Sequence, residues 1–297
     1  MGLLKKIFSL SYNELKIKVR DRIKTHLIAK SVKSCNPFLY GLSYQIRIGK
    51  KRKFDSNDNI LIVGCSGAIG NAFVKHFKNK NINLFGTYYK NESKNSLISS
   101  DQLFQLDLKS PISINNLVND LKQTKVIFDL IVVASGDFSQ SHRIDDETKK
   151  NGLNLFQNEQ QTILNSLNIN TVGPYLLFKG LVPLMREKNK DNKYVSQFCI
   201  LTSSLGTMYN EIYGGLYPYR VSKGALHSIF LGVYCDIRKS RDIGILMAGP
   251  GSVKSKMNPF GITTPEKSAK GIIKNLEYSS RKANYQFLGL NGKRIPW

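Results

Sequence analysis

The chain has 297 residues, 41% of them hydrophobic and 22% charged. That composition excludes a disordered or fibrous protein and suits one large α/β domain with an appendage. The formal net charge is +23, and it is unevenly placed: residues 1–53 carry a net +12, residues 54–297 a net +11.

Residues 1–53 read as basic, amphipathic and helical. Leu3, Leu4, Ile7 and Phe8 form a first apolar face, and Ser11 with Glu14 makes a capping box. Leu15, Val19, Ile23 and Leu27 then recur every four residues among Lys16, Arg20, Arg22, Lys24 and Lys30. Asn36-Pro37 ends the pattern, and a polar linker follows from Gly49 to Asp58. Three roles are open for this extension. It can lie on an anionic membrane face through residues 1–35, dock its apolar side on the following domain or a partner, or bind nucleic acid through Lys50-Lys51-Arg52-Lys53. Nucleic acid is the least favoured of the three, because amphipathic helices mostly serve packing.

No run reaches the roughly eighteen apolar residues of a spanning helix. The start lacks a secretory cleavage pattern and a myristoylation serine. Cys35, Cys65, Cys199 and Cys235 are scattered, as are the four histidines, so no metal site is expected. Reduced thiols imply a reducing compartment, hence a cytoplasmic protein, peripheral to a membrane's inner face if the extension binds lipid.

From Asn59 the rhythm becomes strand, turn, helix. Strands are expected at 60–63, 82–88, 104–106, 128–134, 197–201 and 243–247. Helices are expected at 69–78, 113–122, 160–185 and 217–238, and a last one opens at Thr264-Pro265-Glu266 with Thr264 as cap. Continuous apolar strands alternating with helices predict a doubly wound parallel sheet with helices on both faces. The expected organisation is an extension with linker, 1–56, followed by one α/β domain, 57–297.

The first strand runs into Val63-Gly64-Cys65-Ser66-Gly67-Ala68-Ile69-Gly70, which opens a helix. Glycines there allow a tight turn and let backbone N–H groups approach a pyrophosphate at the helix N-terminus. No Gly-Lys-Ser/Thr ending follows, so this is not a nucleotide P-loop. The second strand ends Gly86-Thr87-Tyr88-Tyr89-Lys90 without an acid. A carboxylate there would bind ribose hydroxyls and repel a 2′-phosphate, so its absence beside Lys90 favours NADP(H) over NAD(H). Farther on, Tyr219 and Lys223 stand four apart on one helical face. A neighbouring ammonium is expected to favour the phenolate and bring the phenol toward working range.

Together these motifs resemble the short-chain dehydrogenase/reductase family, in particular its C-factor-like and sniffer-like carbonyl reductases, over about four fifths of the chain. The resemblance implies a Rossmann fold and reversible hydride transfer between a nicotinamide cofactor and a small carbonyl or alcohol. Ser66-Gly67-Ala68-Ile69-Gly70 is similar to the family's glycine motif, with Ala68 where glycine is usual. Asp107-Leu108 matches the pair that touches adenine. Val133-Ala134-Ser135-Gly136 stands in place of Asn-Asn-Ala-Gly, without either asparagine. Pro250-Gly251-Ser252-Val253 resembles the stretch covering the nicotinamide, and Ser255 stands where a threonine contacts the cofactor. Residues 287–297 look like the branch's C-terminal signature.

The same resemblance implies a catalytic set of Asn170, Ser203, Tyr219 and Lys223, with Thr202 or Ser204 as alternatives should the register slip. Tyr219 would exchange the proton, Ser203 would bond the substrate oxygen, Lys223 would tune Tyr219 and bond the nicotinamide ribose, and Asn170 would hold a relaying water. It also implies a homo-oligomer, since the family often pairs long helices. Two other readings are a non-catalytic nucleotide-sensing or scaffold protein on this fold, and an epimerase or dehydratase that retains its cofactor.

Overall fold

Ile60, Leu61, Ile62 and Val63 are buried on both faces of β1 (Asn59–Val63), the strand around which the sheet is laid down. The structure, a computed structural model, describes residues 51–90, 95–138, 153–187, 194–209, 215–279 and 284–296. The helices expected before residue 51 lie outside them. β2 (Asn83–Tyr88) and β3 (Leu103–Gln105) extend the sheet on one side of β1. β4 (Leu130–Val133), β5 (Ser196–Leu201), β6 (Ile243–Gly249) and β7 (Tyr285–Gly289) extend it on the other. The order is β3-β2-β1-β4-β5-β6-β7, and every pairing is parallel. The sheet is thus the Rossmann type expected, with one strand more than the sequence pattern revealed. Strand order reverses between β1 and β4, which opens a crevice beyond their carboxyl ends.

Alternation along β1 divides the core. Ile60 and Ile62 join Phe73 and Phe77 of α1 (Ala68–Lys78) and Ile272 and Leu276 of α6 (Pro265–Ser279). On the opposite side Phe198 of β5 meets Phe178 at 4.8 Å and Phe230 at 6.0 Å between ring centres. Those two rings come from α4 (Gly173–Leu181) and α5 (Tyr217–Ile237). Local chemistry starts the helices. Ser110 caps α2 (Pro111–Gln123), its hydroxyl accepting from Ser113 N at 3.1 Å. Thr264 caps α6, its hydroxyl accepting from Lys267 N at 3.2 Å.

The helix expected over 160–185 is broken into pieces. α3 (Leu153–Leu167) passes into a π-helical turn, Asn168–Val172, before α4. Pro174 has no N–H to give to the Asn170 carbonyl, so the α ladder fails there. Gly173 N instead donates to Asn168 O across a wider turn.

The segment expected as a polar linker also packs. Phe54 is buried against Phe77. The Arg52 guanidinium is buried between Asp58 and Asp129, and Asp129 also accepts from Arg186 Nε at 2.7 Å. Asp129 Oδ2 in turn accepts from Asn59 N at 3.1 Å, which ties the cluster to the start of β1. Removing one member leaves buried charge without its counter-ion. Arg52→Ala is therefore expected to destabilise the domain by about 3 kcal/mol, read as a lower denaturant midpoint; a shift under about 1 kcal/mol would mean that solvent replaces the guanidinium freely.

Candidate active site

The turn after β1 is built for close backbone approach. Gly64 has φ +81°, and a Cβ on it would stand 2.2 Å from Ser135 Oγ. Thr87 Oγ1 accepts from Gly64 N at 3.0 Å, and Thr87 O accepts from Cys65 N at 3.0 Å, so β2 fixes the turn. Gly70 lets the first turn of α1 rest on the Gly64 carbonyl; a Cβ there would be 2.1 Å from that oxygen. α1 begins after Gly67 with no side-chain cap and no acid in its first turn. Its free N–H groups suit an anion.

This turn forms one end of a cavity of about 1140 Å³. Gly64, Ser66, Gly67, Ile69 and Tyr89 line it, with Asp107, Leu108, Ala134, Ser135 and Gly136. Pro250, Gly251, Val253 and Ser255 line its far wall. Three of the expected site residues do not line it. Gly70 lies behind the turn as its packing support, Lys90 is exposed beyond the strand end with Nζ 6.0 Å from the Tyr89 ring centre, and Asn170 is buried behind Gly136. The volume and the uncapped helix start fit a dinucleotide.

At the cavity's other end Ser203, Tyr219 and Lys223 converge from two elements. Ser203 follows β5, and its Oγ accepts from Leu205 N at 3.1 Å. Thr202 turns away and pairs with His227 Nε2 at 2.9 Å, while Ser204 is exposed; the register therefore favours Ser203. The chain after Ser203 lies against α5 because position 206 is glycine. A Cβ on Gly206 would come within 2.7 Å of the Lys223 carbonyl carbon and 2.8 Å of Gly224 N. Tyr219 and Lys223 share the inward face of α5, with Nζ 5.6 Å from the Tyr219 ring centre. Lys223 is 4% exposed and donates to Leu201 O at 3.2 Å. Leu216, the residue before α5, holds φ +56° in the left-handed region, a strained entry next to Tyr217-Pro218-Tyr219.

Burial dominates the site's electrostatics. The Tyr219 phenol is pushed up by burial, opposed by its hydrogen bond with Ser203. This departs from the expectation that Lys223 would draw it down: removal from water is the largest influence, and the Ser203 hydrogen bond is what opposes it. Lys223 is itself lowered to about 8 by burial, with Asp137 opposing. His227, one turn further along α5, is lowered to about 3 by burial and is neutral. Cys65, under the glycine turn, is raised to about 11 by burial and is inert as a thiolate. Among the described residues no three His, Cys, Asp or Glu side chains gather as metal ligands.

Ser135, an expected site residue, braces the glycine turn, and Leu290, Asn291 and Lys293 of the expected C-terminal signature complete the cavity wall beyond β7. Two residues that serve the site are not singled out by the sequence: Thr87 holds the glycine turn from β2, and Phe138 packs its ring on Tyr219 at 4.9 Å. Both act through contacts between distant segments.

A doubly wound parallel sheet with a glycine turn at its switch point and a Ser, Tyr and Lys set beside it defines a dinucleotide-binding class. Residues 58–263 match the family model described as short chain dehydrogenase, and the chain belongs to that family. It is 29% identical over 140 residues to the 1-hydroxy-2-glutathionyl-2-methyl-3-butene dehydrogenase of Rhodococcus sp. (strain AD45), a match covering 46% of this chain and 58% of that protein. It is 25% identical over 133 residues to the C-signal protein of Myxococcus xanthus, covering 44% of this chain and 76% of that one. The match thus spans little more than half of the Rhodococcus relative's length. Among solved structures, the carbonyl reductase Sniffer of D. melanogaster superposes with a TM-score of 0.66 at 25% identity, covering 81% of this chain and 99% of Sniffer. Among the described residues no helix is long and apolar enough to cross a membrane.

The buried lysine has a measurable cost. Its folded value of about 8 lies below its unfolded 10.5, so the unfolded chain holds the proton more tightly. The cost is therefore full below pH 8 and fades as the pH rises to 10.5. Lys223→Met should stabilise the fold by about 1–3 kcal/mol at neutral pH and by much less in strong base, read as denaturant midpoints across pH. A midpoint that falls at neutral pH would show that the ammonium is instead well solvated in its site.

Proposed function

We propose that the protein is an NADP(H)-dependent oxidoreductase of the short-chain type that interconverts a carbonyl and an alcohol. The observation that carries this reading is the convergence of the Ser203 and Tyr219 hydroxyls over Lys223, in the same cavity as the glycine turn. The nicotinamide, when bound, supplies or accepts the hydride. The turn at Gly64, Ser66 and Gly67 and the start of α1 would hold the pyrophosphate, with Asp107 and Leu108 toward the adenine. Pro250, Gly251, Val253 and Ser255 would cover the nicotinamide end, and Lys223 would bond its ribose.

In the reducing direction the substrate oxygen gains negative charge. Ser203 Oγ donates a hydrogen bond to it where that charge develops. Tyr219 Oη gives it the proton, and the Lys223 ammonium beneath lowers the cost of the phenolate left behind. Burial strengthens that attraction, since the pair interacts through protein more than through water. Asn170 does not face the cavity. Its side chain is committed to Asp137 and Ser222, so it serves the proton path by holding the ground under Lys223. Residues 1–35 would add a peripheral contact with anionic lipid, and a small carbonyl compound is the substrate class.

Two outcomes test the reading. Tyr219→Phe should lower turnover at least about a thousandfold on any active carbonyl, while NADPH binding by fluorescence titration stays near normal; undiminished turnover removes Tyr219 from its role. NADPH should bind at least about tenfold more tightly than NADH, a difference of about 1.4 kcal/mol. Tighter binding of NADH would overturn the reading of the acid-free second strand.

A further inference from the structure

Asp137 has no counterpart in the chemistry assigned above, yet its surroundings hold it firmly. It follows β4 and lines the cavity next to Gly136. Both of its backbone groups are clamped by one side chain. Asp137 N donates to Asn170 Oδ1 at 2.8 Å, and Asp137 O accepts from Asn170 Nδ2 at 2.8 Å. Its carboxylate accepts from Ser166 Oγ at 2.9 Å, and Ser166 is fully buried on α3. Asn170 Nδ2 also donates to Ser222 Oγ at 2.9 Å, and Ser222 Oγ donates to Tyr219 O at 2.8 Å. Thr171 closes the network by donating to Ser222 O at 2.7 Å. One network thus joins Asp137 to the turn of α5 that carries Tyr219 and Lys223. The backbone beside Asp137 lies close to the ammonium, since a Cβ on Gly136 would be 3.6 Å from Lys223 Nζ.

Resting on the oxidoreductase reading above, we propose that Asp137, its backbone clamped by Asn170 and its carboxylate held by Ser166, is a positioning residue that keeps Lys223 in its cationic form beside Tyr219. The other groups facing Lys223 do not supply negative charge. Leu201 presents a carbonyl, and Tyr219 presents its ring at 5.6 Å. On α5 itself, burial holds Tyr219 protonated and His227 neutral. Among the described residues Asp137 is the charge that opposes the burial of Lys223.

The direction of its effect follows. A cationic Lys223 is lost as pH rises through its folded value of about 8. Removing the opposing carboxylate lets burial win further, so the proton leaves at lower pH. Asp137→Asn keeps the backbone clamp and nearly the same shape. It should move the alkaline limb of kcat/KM down by about 0.5–1 pH unit, with a smaller loss on the acid side of the limb. Ser166→Ala should move it the same way by less, and Asp137→Glu should restore part of the shift. The isotope-labelled Lys223 Cε resonance, titrated without substrate, should show the same downward movement. A loss of activity equal at every pH, or a resonance titration that does not move, would overturn the proposal and leave Asp137 a structural brace. The resonance decides the matter on its own, so absence of carbonyl turnover in the unsubstituted protein would remove the oxidoreductase reading without touching this one.

Discussion

The approach of the Ser203–Gly206 turn to the backbone of Lys223 and Gly224 is the contact on which the rest of the site depends. Ser203 belongs to the end of a strand and Tyr219 to the start of a helix, and the residues between them are not what brings the hydroxyls together. The strand end reaches α5 because a hydrogen stands where any other residue would place a carbon against backbone atoms. Gly224 accepts the reciprocal contact, with a Cβ on it reaching 3.2 Å from Gly206 O. Backbone set directly against backbone leaves no side chain to yield, so a displacement of one element must carry the other. Positioning at that level is what hydroxyls asked to meet one substrate oxygen require.

The same closeness explains the site's electrostatic character. Packing α5 onto the strand ends excludes water from Lys223 and partly from Tyr219, and desolvation then becomes the largest influence on both. Stability and chemistry pull in opposite directions here. A hydrophobic residue at position 223 would suit the fold better, whereas the proposed proton transfer would leave a phenolate that needs a cation nearby. The polar network of Ser166, Asp137, Asn170, Ser222 and Thr171 offsets part of that cost by satisfying its own donors and acceptors inside the domain. Asn170, on the π turn before Pro174, reaches both Asp137 and Ser222.

Legibility in the sequence followed the range of the interaction. β1, β4, β5 and β6 were readable because strands covered on both faces are unbroken apolar runs. Thr264-Pro265 carries a helix start in two adjacent residues, and the Tyr219 and Lys223 pair is one helical turn; α2 starts at Pro111 after Ser110, two residues ahead of the start expected at Ser113. β7 escaped because Tyr285-Gln286-Phe287-Leu288-Gly289 is short and includes Gln286, whose amide is buried rather than solvated. The break at Asn168–Val172 escaped because apolar spacing continues through it while the hydrogen-bond ladder changes. Arg52 read as one more solvated charge in a basic run; only the fold reveals Asp58 and Asp129 on either side of it. Asp137 and His227 have no local pattern, since each acquires its role from segments far along the chain.

Val133 and Ala134 bear most directly on how much of a family pattern a cradle needs. Two side-chain amides are missing from the end of β4, yet the geometry around the glycine turn is complete. Ala134 N donates to Val63 O at 2.9 Å, so the backbone itself binds β4 to β1 at this level. Ser135 Oγ then fills the space left by Gly64, and Thr87 holds the turn from the other side. Below it, Asn170 grips the backbone of Asp137 from both directions. Together these contacts tie β4 and the residues after it to the segments they must register with. The loss of the asparagines therefore removes particular hydrogen bonds without loosening the crevice. One residue past Gly136 the same stretch carries the Asp137 carboxylate, which Ser166 holds from α3.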